Sequence, residues 1–350
     1  MQKKINYFDK NFFNKTFLIA EIGVNHDGKI AKAIKLIEEA KKSGADAVKF
    51  QTFKAEKLSK YNTPKTNYQI KFTNKSETHF DMLKKLELSK DDFVNIKKFA
   101  EKKKIIFIST PYDCDSAEFL NKINTKIYKI SSADLTDCFL NETIAKFNKP
   151  TIISTGMSNY HEISRTVSIY KNNKNLALLH CVSNYPCSLK ALNLKCIQEM
   201  SKKFKIPIGF SDHTKNINTG SISVAAGAKI IEKHFTLNPG DRGPDHHCSL
   251  SPKEFKKYSL LIRDSEKMLG NKNKYIQNEE KNMKKISRKS LCYINSFQKN
   301  EKLNKFNFIN LRPGTGIDSF QFKKLLNKKL KKNVNKYQQV KLSDFFINKK

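Results

Sequence analysis

Nowhere in this 350-residue chain do about 18 apolar residues run together, so no segment predicts a membrane-spanning helix. Acids are scarce: 33 Asp and Glu face 67 Lys and Arg, a formal net charge of +34. The seven cysteines are widely spaced and include no C-x-x-C pair. That argues against a disulfide framework and a structural zinc site, and leaves buried free thiols. No G-x-G-x-x-G follows the first apolar run, so an open dinucleotide-binding sheet lacks its signature. The first 15 residues have no apolar core run to act as a signal peptide, and these absences together predict a cytoplasmic protein with no membrane partner.

Hydrophobic residues make up 38% of the chain, with 25 phenylalanines, and the mean hydropathy is −0.61. This is enough apolar material for a real core and excludes a wholly disordered basic protein. The excess charge invites a nucleic-acid reading, but neither C₂H₂ spacing nor a basic motif interleaved with aromatics is present, so no nucleic-acid partner is expected. The length exceeds one ordinary domain and suits a barrel of about 250 residues with something smaller beside it.

Eight short β-branched or aromatic runs alternate with segments of helical period: 17–23, 47–53, 105–111, 127–134, 151–156, 176–181, 206–213 and 229–236. That alternation and that count predict a closed (β/α)₈ barrel rather than an open doubly wound sheet. Residues 54–89 form a long polar insertion after the second run, of the kind that makes binding loops or lids. The predicted division is an N-terminal extension over 1–16, the barrel over 17–270, a charged linker over 271–287 and a second domain over 288–350. Short strands and a Lys-rich helix around 320–332 are expected in that last domain.

Each run begins apolar and ends polar: Glu21; Lys49 and Gln51; Ser109 and Thr110; Lys129, Ser131 and Ser132; Ser154 and Thr155; His180; Ser211 and His213; His234. In a barrel these are the C-terminal strand ends, where active sites assemble. Taken singly, a strand-end Ser or Thr is an ordinary helix cap. Period-2 spacing puts Lys49 with Gln51, Ser211 with His213 and Glu232 with His234 on shared faces. Lys49 and Lys129, flanked by apolar residues in mid-strand, must bury their stems and find anionic partners, as a phosphate plus a carboxylate would provide. His213 and His234, on the last two strands, can share one divalent metal, or else pair as hydrogen-bonded core histidines. His180 reads as structural. The segment 239–247, PGDRGPDHH, concentrates polar groups after the last strand. Its Asp245 is the carboxylate best suited to a polyhydroxylated substrate, and its two histidines are a weaker candidate for a second metal.

At these residues the chain resembles the sialic acid synthase family, which condenses phosphoenolpyruvate with an N-acetylated mannosamine-type sugar. The matching segments are AEIGVNHDG (20–28), GADAVKFQ (44–51), ISTP (108–111), STGMS (154–158), SNYP (183–186), GFSDHT (209–214), EKHFT (232–236), GPDH (243–246) and RPGTG (312–316). The resemblance implies a (β/α)₈ barrel followed by a small antifreeze-like (SAF, β-clip) domain. It further implies a homodimer in which that domain reaches over the partner's barrel and supplies Arg312.

By the same resemblance Lys49, Thr110, Lys129, Ser132, Ser154, Ser183 and Ser211 hold phosphoenolpyruvate. His213 and His234 hold Mn²⁺ or Mg²⁺, and Gln51, Asp134, Tyr185, Asp245 and Arg312 contact the sugar. Glu21 sits by the reacting carbons and orients or deprotonates a water. The implied chemistry is attack of the enol carbon on a metal-polarised aldehyde, addition of water at C2 and loss of phosphate. Two positions depart from the family pattern: Asp134 stands where Glu is common, one methylene shorter, and Ser183 where neuraminate synthases often carry Asn. The stretches 67–69 and 82–88 resemble the legionaminic-acid branch. Pseudaminic acid synthases and other phosphoenolpyruvate-dependent sugar-acid synthases are the enzyme alternatives. A sugar-phosphate acceptor would need a second cationic pair at the strand ends, and none is present.

Overall fold

The computed structural model describes residues 7–8, 12–173 and 175–346. Eight parallel strands close into a barrel in chain order: β1 (Phe17–Gly23), β2 (Ala47–Thr52), β3 (Ile106–Pro111), β4 (Ile127–Ile130), β5 (Thr151–Ser154), β6 (Leu176–Cys181), β7 (Ile208–Asp212) and β8 (Ile230–His234). The strand-and-helix alternation of the sequence therefore closes on itself, with β1 pairing with both β2 and β8.

Alternation along each strand sorts side chains between two layers. Leu18, Ala20, Val48, Phe50, Ile153, Phe210 and Ile231 face outward into a large cluster with helices such as Ile30–Lys42 and Pro252–Leu269. Phe17, Ile19, Ala47, Ile108, Ile127, Ile152, Leu179 and Ile230 fill the barrel interior, and Phe8, Phe12 and Phe13 pack against that filling. One step of two further along the strands, the interior positions turn polar: Glu21, Lys49, Thr110, Lys129, Ser154, Ser211, Glu232.

The same alternation explains two strand-end residues that stand apart from this polar layer. His180 and Ser109 are the neighbours of interior Cys181 and Thr110. His180 Nε2 bonds the Leu192 carbonyl at 2.6 Å, a structural role, while Ser109 bonds Thr52 at 2.7 Å.

The insertion after β2 is more ordered than its weak periodicity suggests, holding helices Ala55–Leu58, Asn67–Phe72 and His79–Leu86. Thr66 and Thr78 each open a helix with a capping box, a local signal that hydrophobic period alone does not reveal.

The chain divides into two compact units, Met1–Gly270 and Asn271–Lys350. Within the second, β9 (Ser290–Tyr293) pairs antiparallel with β10 (Phe308–Leu311) over a small core of Leu291, Tyr293, Leu303, Leu325, Leu330, Val334, Val340 and Phe345. Two expectations need correction here. Residues 280–287 of the supposed linker form an exposed helix, and the Lys-rich helix around 320–332 is only a 3₁₀ segment, Ser319–Lys324. Asn327 takes a left-handed φ of 61°, and Lys329 and Leu330 bridge to Lys302 and Phe345, which draws the chain out of a helical path. Among the described residues, no helix is long and apolar enough to cross a membrane.

Outside the barrel wall, Lys233 and Asp212, cross-strand partners with no side-chain exposure, form an ion pair at 3.1 Å. Asp212 also accepts from Thr219, from the Thr214 amide and from the Tyr258 hydroxyl, so its charge is fully partnered. Removing the cation leaves a buried carboxylate uncompensated. Lys233→Met is expected to lower unfolding free energy by about 3–5 kcal/mol, measured by urea denaturation.

Candidate active site

At the C-terminal ends of the strands lies a cavity of about 550 Å³. Its floor is a chain of buried charges. Lys49 Nζ lies 2.8 Å from Glu21 Oε2, 3.9 Å from Glu232 Oε1 and 3.1 Å from Thr110 Oγ1. Lys129 Nζ donates to Ser154 Oγ at 2.6 Å and to the Ile130 carbonyl at 2.8 Å, and lies 3.9 Å from Glu232 Oε2. Gln51 donates to Glu21 Oε1 at 3.1 Å, and Ser211 to Glu232 Oε1 at 3.3 Å. Burial penalises the charged form of Glu232, but the ammonium groups of Lys129 and Lys49 outweigh it and hold this carboxyl below its usual range. Glu21 goes the other way: burial pushes it up to about 7, with Lys49 pulling against that rise and Glu232 adding to it.

Glu232 is the floor residue to which sequence reasoning gave no task. Its period-2 relation to His234 placed it on the inner face, which was the available signal. Cys181 is a second such residue. Its sulfur is 3.8 Å from His213 Nδ1 and, against its own burial, that imidazole draws the thiol down to about 7.

Two glycines let these groups converge. A Cβ on Gly156 would lie 2.3 Å from Ser183 Oγ and 2.9 Å from Ser132 Oγ, and the Gly156 amide donates to Ser132 Oγ at 3.0 Å. Gly23, at φ +55°, bends the end of β1 where a Cβ would press within 3.0 Å of both Gln51 and Glu21.

His213 and His234 have ring centroids 5.6 Å apart. His213 Nδ1 pairs with the Val182 carbonyl at 2.9 Å, the support that metal-ligating histidines commonly have. His234 Nδ1 is buried without a hydrogen-bond partner, and burial together with the charge of His213 pushes its pKa well down, so the ring is neutral. His234 offers the neutral imidazole with a free nitrogen that a divalent ion requires; burial works against the charged form of His213, but Cys181 and the Val182 carbonyl raise its pKa, so His213 would give up a proton on joining His234 at a shared ion. Asp27, Asp241 and His246 also converge, but Lys32 Nζ already bridges Asp27 at 2.6 Å and Asp241 at 2.8 Å, and His246 Nε2 holds Asp27 at 2.9 Å. A metal there would have to displace an ammonium, so this cluster reads as a clasp between loops.

Tyr185 leans on His213 with centroids 4.1 Å apart, and Asp245 lines the cavity, pushed up to about 6 by burial. Thr110 bonds Lys49 rather than forming cavity wall, and the Ser183 hydroxyl is buried without a partner beside Gly156. Asp134 is turned aside: its carboxylate accepts from Ser131 Oγ at 2.5 Å, while Ser131, Ser132 and Ala133 line the cavity. Arg312 is an exposed residue of the second unit. The insertion contributes Tyr68, Gln69, Met82, Leu83 and Leu86 to the wall. Its Phe72 stacks on His247 at 3.7 Å.

A closed parallel barrel with paired ammonium and carboxylate groups, hydroxyls and imidazoles at its C-terminal mouth defines a (β/α)₈ enzyme. Residues 36–274 match the NeuB family, and the chain belongs to it. It is 40% identical over 323 residues to the N,N'-diacetyllegionaminic acid synthase of Campylobacter jejuni, covering 91% of this chain and 97% of that one. Against the protein of the same description from Legionella pneumophila it is 39% identical over 325 residues, 91% of each chain. The crystal structure of N-acetylneuraminic acid synthetase from Leptospira borgpetersenii, in complex with citrate, superposes with a TM-score of 0.69 at 36% identity, covering 77% of this chain and 90% of that one.

Asp134 and Asp245 are both pushed up to about 6 by burial. A raised carboxyl pKa stabilises the fold below the unfolded value of about 4, and that contribution is lost as pH rises through 6. Stability of the parent relative to the Asp134→Asn/Asp245→Asn double variant should therefore fall between pH 4 and pH 6, as read from urea midpoints across that range.

Proposed function

We propose that this chain condenses phosphoenolpyruvate with an N-acetylated mannosamine-type sugar and releases phosphate, giving a nonulosonic acid such as N-acetylneuraminate or N,N'-diacetyllegionaminate. The observation that carries this reading is the cavity floor, where Lys49 and Lys129 are buried among Ser154, Ser211 and Thr110 within reach of two neutralising carboxylates. Two fixed ammonium groups and several hydroxyls suit an anion bearing both phosphate and carboxylate. Glu232, poised between the lysines, opposes the burial that lowers the Lys129 pKa and, with Glu21, lifts that of Lys49 against its own burial. Ser132 and Ser183, crowded over Gly156, add hydroxyl donors to the same anion.

The reaction joins C3 of phosphoenolpyruvate to the aldehyde carbon of the open-chain sugar, adds water at C2 and expels phosphate as the C2 ketone forms. Glu21, held by Lys49 and Gln51 and titrating near 7, orients that water and takes its proton. Gln51, Tyr185 and Asp245 bind the sugar, while Asp134 acts there only through Ser131, whose hydroxyl it holds at the cavity wall. A divalent ion, Mn²⁺ or Mg²⁺, held by His213 and His234 would supply Lewis-acid polarisation of the acceptor carbonyl. Phosphate release should require phosphoenolpyruvate, sugar and metal together, and His234→Ala should abolish it without altering the circular dichroism of the barrel. Undiminished turnover in excess EDTA would overturn the metal assignment.

The same reading makes residues 288–350 an antifreeze-like domain that closes the barrel of a second copy through Arg312. If so, His234→Ala and Arg312→Ala, each inactive alone, should regain activity when mixed and allowed to exchange subunits. Continued silence of the mixture, or full activity of Arg312→Ala alone, would count against the cap.

A further inference from the structure

The second unit is strongly one-sided in charge: residues 271–350 carry 19 Lys and 2 Arg against 5 Asp and Glu. Four of those five acids are already engaged by the fold. Glu280 accepts from the Gln277 amide at 2.8 Å, Glu301 from the Gln298 amide at 2.5 Å and Asp318 from the Phe320 amide at 2.8 Å, while buried Asp344 pairs with Lys332 at 3.0 Å. That last contact is the one ion pair of this unit among the described residues. Three of the remaining lysines gather beside an aromatic ring. Lys302 and Lys329 stand opposite one another in an isolated antiparallel bridge, Phe346 donates its amide to the Lys329 carbonyl at 3.0 Å, and Lys331 Nζ lies 5.7 Å from the centre of the Phe346 ring. All four residues are exposed, whereas Leu330, between two of the lysines, pairs with Phe345 and is buried in the core of the unit. Like charges directly opposite across a ladder destabilise it, so this face is not arranged for the stability of the fold. Just before it in the chain, Phe320 is 90% exposed in the same 3₁₀ segment as Lys323 and Lys324.

We propose that this face of the second unit binds the surface of an anionic lipid bilayer and holds the chain there peripherally. The expectation of no membrane partner rested on the lack of a leader and of a spanning helix, and neither bears on a surface contact. Lysines without carboxylate partners gain from the negative potential of a leaflet rich in acidic headgroups, each worth roughly fivefold in partition. Phe346 and Phe320 supply apolar rings able to enter the boundary between headgroups and acyl chains beside them. A nucleic acid fits this face less well. Its cations are lysines, which act as point charges, whereas arginine forks are what grip phosphates and base edges bidentately. It also presents single bridges, not a helix or a long ribbon that could enter a groove.

The test is sedimentation of the full chain with vesicles of phosphatidylcholine alone and of phosphatidylcholine mixed with phosphatidylglycerol, at low and at high salt. On the proposal the chain partitions onto the vesicles that contain phosphatidylglycerol and is released as salt rises, because the attraction is screened. Lys302→Gln, Lys329→Gln and Lys331→Gln should each weaken partition roughly fivefold, and the three together roughly 100-fold. Their urea midpoints should match that of the parent or exceed it, since opposed like charges are being removed. Phe346→Ser should weaken vesicle binding and leave its salt dependence unchanged. Equal sedimentation with pure phosphatidylcholine, or none with either vesicle, overturns the proposal. Binding at the parent's level by the folded triple variant overturns the assignment to this face, and the single variants make the same comparison where the triple variant fails to fold. Tighter binding to duplex DNA than to the phosphatidylglycerol vesicles, at equal phosphate concentration and salt, overturns the lipid reading in favour of a nucleic acid.

Discussion

Four charges buried side by side in the mouth of the barrel, Glu21, Lys49, Glu232 and Lys129, set the terms for everything around them. None could be buried alone, since an unpaired ion in such a place costs several kcal/mol. They survive because β1, β2, β4 and β8 bring them to one level, with acid and base alternating across the interior. Beneath them the interior is filled by Ile19, Ile108, Ile127, Ile152 and Leu179, with phenylalanines packed below, so the field of the charges is directed toward the open side. An anion entering there meets ammonium groups already desolvated and oriented, which is the arrangement that makes electrostatic preorganisation effective.

The loops above this floor are fastened to one another rather than left to fold on arrival of substrate. Lys32 ties Asp27, from the loop after β1, to Asp241, from the loop after β8, and His246 closes the same clasp from the other side. The insertion is joined to that loop by the Phe72 carbonyl, which accepts from the Gly243 amide at 3.1 Å, and by the stack of Phe72 on His247. Tyr68 and Tyr185 continue the aromatic contact down to His213. Asp245 and the wall of the insertion are therefore positioned by a shared set of contacts.

Much of this was legible in the sequence because strand period is a strict rule. An apolar inner residue followed two further on by a charged or hydroxyl group marks the inner face of β1, β2, β4 and β8, and Lys49, Lys129 and His234 follow from it, while His213 follows from Ser211 just beyond β7. The same rule, applied residue by residue, would have turned His180 outward and brought Cys181 and Glu232 into the site. The insertion was opaque for a different reason. Its helices are four to eight residues long, too short for a hydrophobic period to register, and their apolar side chains face one another and the cavity instead of the barrel core. In the second unit, lysine abundance suggested a helix where Asn327 and isolated bridges to distant residues decide the backbone instead.

The tyrosines on the cavity wall give the molecule an optical property. The chain has no tryptophan, and its 12 tyrosines dominate its near-ultraviolet absorption. Three of them, Tyr68, Tyr112 and Tyr185, face the cavity, and all three phenols are held protonated by burial. Whatever fills the space above the charged floor lies against a built-in chromophore, so occupancy of the site registers as a tyrosine difference spectrum with no indole signal to mask it.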